Sequence, residues 1–227
     1  MSTTLLRVLE QPLPRVDDAL LKRYAEVGCA QISDCMNRLY GVVSLAPYHD
    51  TKGPRMVGIA LTVKARPGDN LFIHKAITLA RPGDVIVVDG GGDLTNALVG
   101  ELMAMEAERR GVRGFVIDGS VRDADVFAKN GNFGCFARGV SHRGPYKDGP
   151  GEINVPVSIG GLVVLPGDVV VGDADGVMAI PAGMAELVLG LAEKKEAAEV
   201  QSKEKIRNGT NARPWIDQAI ARLNGQG

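Results

Sequence analysis

The sequence predicts an α/β fold, and three observations carry that prediction. Two apolar runs, VIVVDGGGD (85–93) and GFVID (114–118), each end in a glycine turn. Between them TNALVGELMAMEAERRG (95–111) repeats its apolar residues with helical period. Strand, helix, strand is a βαβ unit, for which a parallel pair and a right-handed crossover are expected. From Phe133 onward the pattern changes to short apolar runs: GCFARG, INVPVSIGG, LVVLPGDVVVGD and GVMAI, separated by Gly, Pro and Asp turns. These predict a second, β-rich layer packed on the first sheet.

The remaining elements follow in chain order. Residues 1–15 read as an irregular, proline-bearing lead-in. Asp17 is placed to cap a helix containing Leu20, Leu21 and Tyr24, ending near Gly28. Ser33 or Asp34 is expected to cap a second short helix ending near Gly41. RMVGIALTVKAR (55–66) alternates as a strand before the Pro67-Gly68 turn, and residues 74–79 suggest a short helix before Pro82-Gly83. The segment 184–209 closes the chain as a long helix, with Asn208-Gly209 as its stop. It is apolar at Leu187, Val188, Leu191 and Ala192 and heavily charged beyond. It is either a solvated helix or an arm reaching a neighbouring subunit. The expected organisation is one α/β domain over 1–183 with a helical arm over 184–227.

Composition excludes several function classes. With 227 residues, 45% apolar and 23% charged, the chain can bury a substantial core. Its 29 glycines and 4% aromatics point to tight turns and aliphatic packing. A net charge of −1 and the lack of aromatic platforms argue against a nucleic-acid partner. Cys29, Cys35 and Cys135, odd in number and widely spaced, read as free thiols. No stretch approaches eighteen apolar residues and no secretory pattern opens the chain, so no membrane span is expected and the cytoplasm is.

Few residues carry candidate chemistry. Gly90-Gly91-Gly92-Asp93 lacks both the P-loop lysine and the GxGxxG spacing, leaving a strand-to-helix corner where backbone can approach a ligand. His49, His74 and His142 have no metal-ligand spacing, and there is no GxSxG elbow. A glycine at position 100 inside a helix costs about 1 kcal/mol relative to alanine. Either it is a packing glycine in a continuous helix, or the regular helix starts there. In the second case the free N–H groups of Gly100, Glu101, Leu102 and Met103 would bind a small carboxylate.

Arg122 and Asp123 also have two readings. In one, Asp123 or Asp125 caps the helix ADVFAKN and Arg122 forms a surface ion pair. In the other, both sit at the carboxyl end of a βαβ strand, where open α/β sheets place ligands, and Glu101 shares that edge. Two carboxylates, one guanidinium and a row of N–H groups suit a divalent cation with a small keto acid. Local physics alone favours the cap.

Glu101, twenty intervening residues, then Arg122-Asp123 resembles the acidic-X20-Arg-Asp signature of the class II pyruvate aldolases acting on 4-hydroxy-4-methyl-2-oxoglutarate and 4-carboxy-4-hydroxy-2-oxoadipate. Their superfamily includes the RraA-type regulators of ribonuclease activity. PGDNLFIHKAI (67–77), GELMAMEAERRGVRGFVIDGSVRD (100–123) and GEINVPVSIGGLVVLPGDVVVGDADGVMAIP (151–181) extend the likeness, which covers roughly 17–205.

The resemblance implies an α-β-β-α sandwich with a C-terminal helical arm. It further implies a homotrimer or homohexamer with sites between subunits, and Mg²⁺ or Mn²⁺ as cofactor. Asp123 would ligate the metal directly, and Arg122 would meet the keto oxygen. The N–H groups of Gly100, Glu101, Leu102 and Met103 would hold the substrate carboxylate. Glu101, standing where the aldolase pattern usually has aspartate, and Glu199 of a neighbouring subunit would act through metal-bound water. A small alignment gap would move the last role to Glu196. The implied activity is retro-aldol cleavage of 4-hydroxy-2-oxo acids to pyruvate, with oxaloacetate decarboxylation through the same enolate. The rival is a non-catalytic RraA-like regulator that binds a ribonuclease. Asn70, His74, Arg143 and Lys147 are the residues expected to bear on substrate choice.

Overall fold

A computed structural model describes residues 7–8 and 14–225, so most of the expected lead-in, 1–15, lies outside the described residues. By Cα proximity the chain divides into two compact units, one up to Ala192 and one from Glu193.

The first unit opens with β1 (Arg7–Val8), α1 (Asp18–Tyr24), α2 (Cys29–Cys35) and β2 (Ala46–Pro47). Asp17 caps α1 as expected, its Oδ1 accepting from the Ala19 amide at 3.1 Å. The second helix departs from expectation. It starts at Cys29, with Gly28 at its N-cap, and Ser33 and Asp34 lie inside it. Its cap comes from a distant strand: the Cys29 amide donates to Asp173 Oδ2 at 2.9 Å.

Next come β3 (Met56–Ala65), α3 (Leu71–Leu79), β4 (Asp84–Val99), α4 (Glu101–Arg109), β5 (Gly114–Val121), α5 (Ala124–Phe127) and β6 (Gly134–Val140). β3, β4, β5 and β6 pair in parallel, which is the predicted βαβ arrangement. The predicted helix 95–111 is shortened at its start, because β4 runs on to Val99. β7 (Gly151–Ile153), β8 (Val157–Ile159), β9 (Leu162–Val164), β10 (Val169–Asp173) and β11 (Gly176–Ile180) follow. β8 and β9 form a separate hairpin, while β10 joins β11 to the first half of β3.

Side-chain alternation along β3 shows how the layers stack. Leu61 and Val63 face α3 and α4, packing with Ile73, Ala76, Met103 and Ala107. Val57 and Ile59 face α1 and α2, with Leu20, Tyr24 and Ile32. Met56 and Ala60 lie between strand layers, with Val85, Val116, Phe136, Val157, Val170 and Ala179. Helix on sheet, sheet on sheet and sheet on helix is the layering of an α/β fold with a large mixed sheet.

α6 (Ala185–Arg207) starts in the first unit and buries Ala185, Val188, Leu189 and Ala192. The buried stripe is therefore rotated from the expected one, leaving Leu187 and Leu191 exposed. In the second unit α6 stops as predicted, with Gly209 at φ 68° and the Thr210 amide donating to the Lys205 carbonyl at 2.9 Å. A further helix, α7 (Pro214–Leu223), was not anticipated; Pro214 sets its first turn. Among the described residues no helix is long and apolar enough to cross a membrane. Cys29 and Cys135 are buried free thiols and Cys35 is partly buried.

Candidate active site

The site arises from two strand-to-helix corners brought side by side. Register shifts after Asp89 let β4 advance from Asp89 to Val99 while β5 advances only from Asp118 to Val121. Gly91 and Gly92, at φ 67° and 70°, supply the left-handed backbone of that excursion. The three glycines thus form irregular strand, and the strand-to-helix corner expected there lies at Gly100 instead. Val99 ends opposite Val121, and the Arg122 amide donates to the Val99 carbonyl at 3.0 Å. Gly100-Glu101 and Arg122-Asp123 therefore leave the sheet together.

α4 begins at Glu101 with Gly100 as its N-cap, which excludes the continuous-helix reading of that glycine. Its φ of −158° and ψ of −167° suit any residue, so conformation does not demand glycine. Space does. A Cβ there would lie 2.5 Å from Asp123 Oδ2 and 2.8 Å from Arg122 Cγ.

Asp123 adopts a left-handed conformation, φ 57° and ψ 40°, which aspartate tolerates better than most residues. It occupies the N-cap position of α5, yet its side chain caps nothing in that helix. Oδ2 instead accepts from the Glu101 amide at 2.9 Å. Asp125 lies within the first turn of α5, loosely paired with Lys129 at 3.8 Å, so it does not cap either. The ion pair expected of Arg122 is present but loose: Nε lies 3.7 Å from Asp123 Oδ2, with the side chains 45% and 37% exposed. Among the described residues neither Asp123 Oδ1 nor the Glu101 carboxylate has a hydrogen bond.

The N–H row at the start of α4 is shorter than the sequence suggested. The Glu101 amide is committed to Asp123, leaving those of Gly100, Leu102 and Met103 at a helix end that lacks intrahelical acceptors. They border a cavity of about 270 Å³ walled by Leu98, Val99, Arg122, Asn70, His74 and the loop residues Gly144, Pro145 and Lys147. Burial, then the Lys147 cation, hold the His74 imidazole below its ordinary pKa, so it is neutral near pH 7. Asn70 is buried and donates through Nδ2 to the Leu98 carbonyl at 2.9 Å, while Oδ1 has no partner among the described residues. Of the four residues expected to bear on substrate choice, Asn70, His74 and Lys147 line the cavity. Arg143 contributes its carbonyl, which accepts from the Ala97 amide at 2.8 Å.

Glu199 and its alternative Glu196 lie on α6 beyond Ala192, in the second unit, where Glu196 pairs with Lys203 at 3.8 Å. Among the described residues no three His, Cys, Asp or Glu side chains cluster as a metal site. A pair of oxygen donors at the corner is wrong for tetrahedral zinc but would suit Mg²⁺ or Mn²⁺, hard cations that keep waters and take one or two carboxylates. Asp123 Oδ1 and Glu101 are the groups that could hold such an ion. Sequence reasoning missed Asp69, whose carboxylate fastens the cavity loop. The signal was an aspartate two residues ahead of α3, the spacing of a side-chain cap.

A family profile described as RraA-like, Aldolase/RraA, matches residues 29–179, about two thirds of the chain. The chain belongs to the RraA-like family. A provisionally named 4-hydroxy-4-methyl-2-oxoglutarate aldolase of Halalkalibacterium halodurans is 41% identical over 191 residues, 83% of this chain and 90% of that protein. One of the same name from Ectopseudomonas mendocina is 36% identical over 132 residues, 58% of this chain and 78% of that one. Among solved structures, a protein of Pseudomonas syringae superposes with TM-score 0.77 at 29% identity, covering 88% of this RraA-like chain and 93% of its own. The RNA-processing inhibitor RraA of Thermus thermophilis gives TM-score 0.61 at 29% identity, covering 68% and 92%.

Proposed function

We propose that this chain is a divalent-metal-dependent carbon–carbon lyase. It cleaves 4-hydroxy-2-oxo acids to pyruvate and decarboxylates oxaloacetate, acting in the cytoplasm as a homotrimer or homohexamer. One observation carries the reading. Asp123 turns its carboxylate away from its own helix and onto the amino terminus of α4, beside Arg122. The aldolase name of the Halalkalibacterium relative supports the reaction class.

When bound, Mg²⁺ or Mn²⁺ supplies Lewis-acid polarisation of the 2-oxo group. Asp123 Oδ1 would hold it directly, with Glu101, and Glu199 of a neighbouring subunit, acting through water. The free amides of Gly100, Leu102 and Met103 bind the C1 carboxylate at the positive end of α4. As the C3–C4 bond breaks, negative charge gathers on the C2 oxygen, and the Arg122 guanidinium stabilises it there. Retro-aldol cleavage also requires removal of the C4 hydroxyl proton. Glu101, whose carboxylate has no partner among the described residues, would accept that proton through a water. Decarboxylation releases CO₂ from C4 and requires no such base, so one site serves both reactions.

The test is pyruvate release from 4-hydroxy-4-methyl-2-oxoglutarate and from oxaloacetate with Mg²⁺, with and without EDTA. EDTA should abolish both activities. Asp123→Ala should lower turnover by about 10³-fold or more, and Arg122→Ala should lower kcat by about 10²-fold. Turnover that ignores EDTA and survives Asp123→Ala contradicts the reading. The likeness to the Thermus RraA favours one rival, a ribonuclease-binding regulator. Ribonuclease inhibition by a chain that turns over neither oxo acid would establish that rival instead.

A further inference from the structure

The cavity beside Arg122 has one wall that the hydrophobic core does not hold. Residues 143–149 contribute no buried apolar side chain, and Tyr146 is 60% exposed. Hydrogen bonds hold this segment at both ends. At one end the Arg143 carbonyl accepts from the Ala97 amide at 2.8 Å, and the Gly144 carbonyl accepts from Asn96 Nδ2 at 2.6 Å. At the other end Asn70 donates its amide to the Tyr146 carbonyl at 3.0 Å, and the Tyr146 amide donates to Gly68 at 2.8 Å.

Asp69 completes the second attachment. Only 2% exposed, it accepts through Oδ2 from the amides of Asp148 and Gly149 at 2.7 and 2.9 Å. Its Oδ1 accepts from the Leu71 amide at 3.0 Å, in the first turn of α3. Three N–H groups surround a carboxylate that has no Lys or Arg partner among the described residues. Bonds to an ionised acceptor are roughly twice as strong as neutral ones, and the α3 amino terminus adds a favourable dipole. Next to it, Asn70 Nδ2 bonds the Leu98 carbonyl beside the Gly100 corner. Two consecutive residues thus tie the 144–147 wall to the corner that carries Arg122 and Asp123.

We infer that Asp69 is a positioning residue for the lyase reaction: its carboxylate holds the loop that carries Lys147 at the working distance from Arg122 and the α4 amides. This inference rests on the proposed function for its kinetic consequence, while the latch itself is independent of it. An asparagine at 69 would set an NH₂ donor against either the two loop amides or the Leu71 amide, and any bond its neutral oxygen keeps is weaker than one to a carboxylate, so the loop end loosens while volume is preserved. The loop lines the cavity on the side away from the Asp123 carboxylate, so its release should weaken ground-state and transition-state binding alike.

The experiment compares Asp69→Asn with the wild-type chain in two readouts. Oxaloacetate kinetics with Mg²⁺ should show KM raised about tenfold with kcat within about threefold. Hydrogen exchange at the Asp148 and Gly149 amides should quicken at least about tenfold, while the Glu101 amide, held by Asp123, keeps its wild-type rate. Unchanged exchange overturns the latch. Faster exchange with KM within about twofold of wild type, or a fall in kcat alone, overturns the positioning role. If Asp69→Asn does not fold, Asn96→Ala removes one of the two bonds at the other end from a partly exposed position and should show the same KM-against-kcat split, with faster exchange across 143–149. A wild-type chain that turns over no oxo acid removes the functional reading, and the exchange comparison then decides the latch alone.

Discussion

Two Arg–Asp pairs lie a few residues apart along β5, and one is consumed by the fold while the other is left open. Asp118, inside the strand, pairs with Arg138 of β6 in a close contact, with side chains only 7% and 27% exposed. Arg138 also donates through Nη1 to Ser44 Oγ at 2.9 Å. Asp123, two residues past the end of the strand, keeps a loose 3.7 Å contact with Arg122, and both side chains stay half-exposed. The functional groups are the same in both pairs. In the first they are spent on each other and on the fold. In the second, one carboxylate oxygen is held by a backbone amide of another element, while the other oxygen and most of the guanidinium remain available to a ligand.

Breaking each pair should move a different observable. Asp118→Ala strands the half-buried Arg138 and should cost about 3 kcal/mol of stability, with kcat per folded molecule unchanged. Chemical denaturation measured alongside active-site titration checks this. A loss of turnover without loss of stability would erase the distinction. Gly100→Ala attacks the second pair sterically, since its Cβ would fall 2.5 Å from Asp123 Oδ2. Misplacing that oxygen should lower kcat by about tenfold or more, with a melting temperature close to wild type. Equal kcat would mean that the corner tolerates a Cβ and that Asp123 need not sit where it does.

The smallest effect concerns pH and lies on the side of the fold. His49, buried against the edge of Phe136, sets Nδ1 3.2 Å from both the amide and the carbonyl of Cys135. Burial, the largest cause, holds its pKa below the ordinary histidine value of 6.5. As pH falls below 6.5 the unfolded chain takes up the proton first, so stability present above that pH is lost on acidification. His49→Gln should make the decline of melting temperature between pH 7 and pH 5 shallower, leaving kcat per folded molecule unchanged. A decline as steep as wild type would remove His49 from the account.

Much of this was legible in the chain because its signals are local. Apolar runs ending in glycine marked β4 and β5, and the spacing from Glu101 to Arg122-Asp123 marked the corner. What was illegible depends on distant partners. TNALV looks helical on its own, yet pairing of Val99 with Val121 draws it into β4. Gly28 can head α2 because Asp173, far along the chain, supplies the cap. Asp123 occupies a cap position whose obvious use is local, and only the neighbouring α4 amide shows where its oxygen goes. Asp69 was overlooked because its partners, Asp148 and Gly149, lie about eighty residues away.

The central claim is that Asp123 presents a free carboxylate oxygen to a divalent cation shared with a 2-oxo acid. Calorimetric titration of Mn²⁺ in the presence of pyruvate, for the wild-type chain and for Asp123→Asn, tests it most directly. The account predicts pyruvate-dependent Mn²⁺ binding by the wild type and loss of about tenfold or more in affinity for a variant that keeps its melting temperature. Equal Mn²⁺ affinity in the two proteins would contradict it.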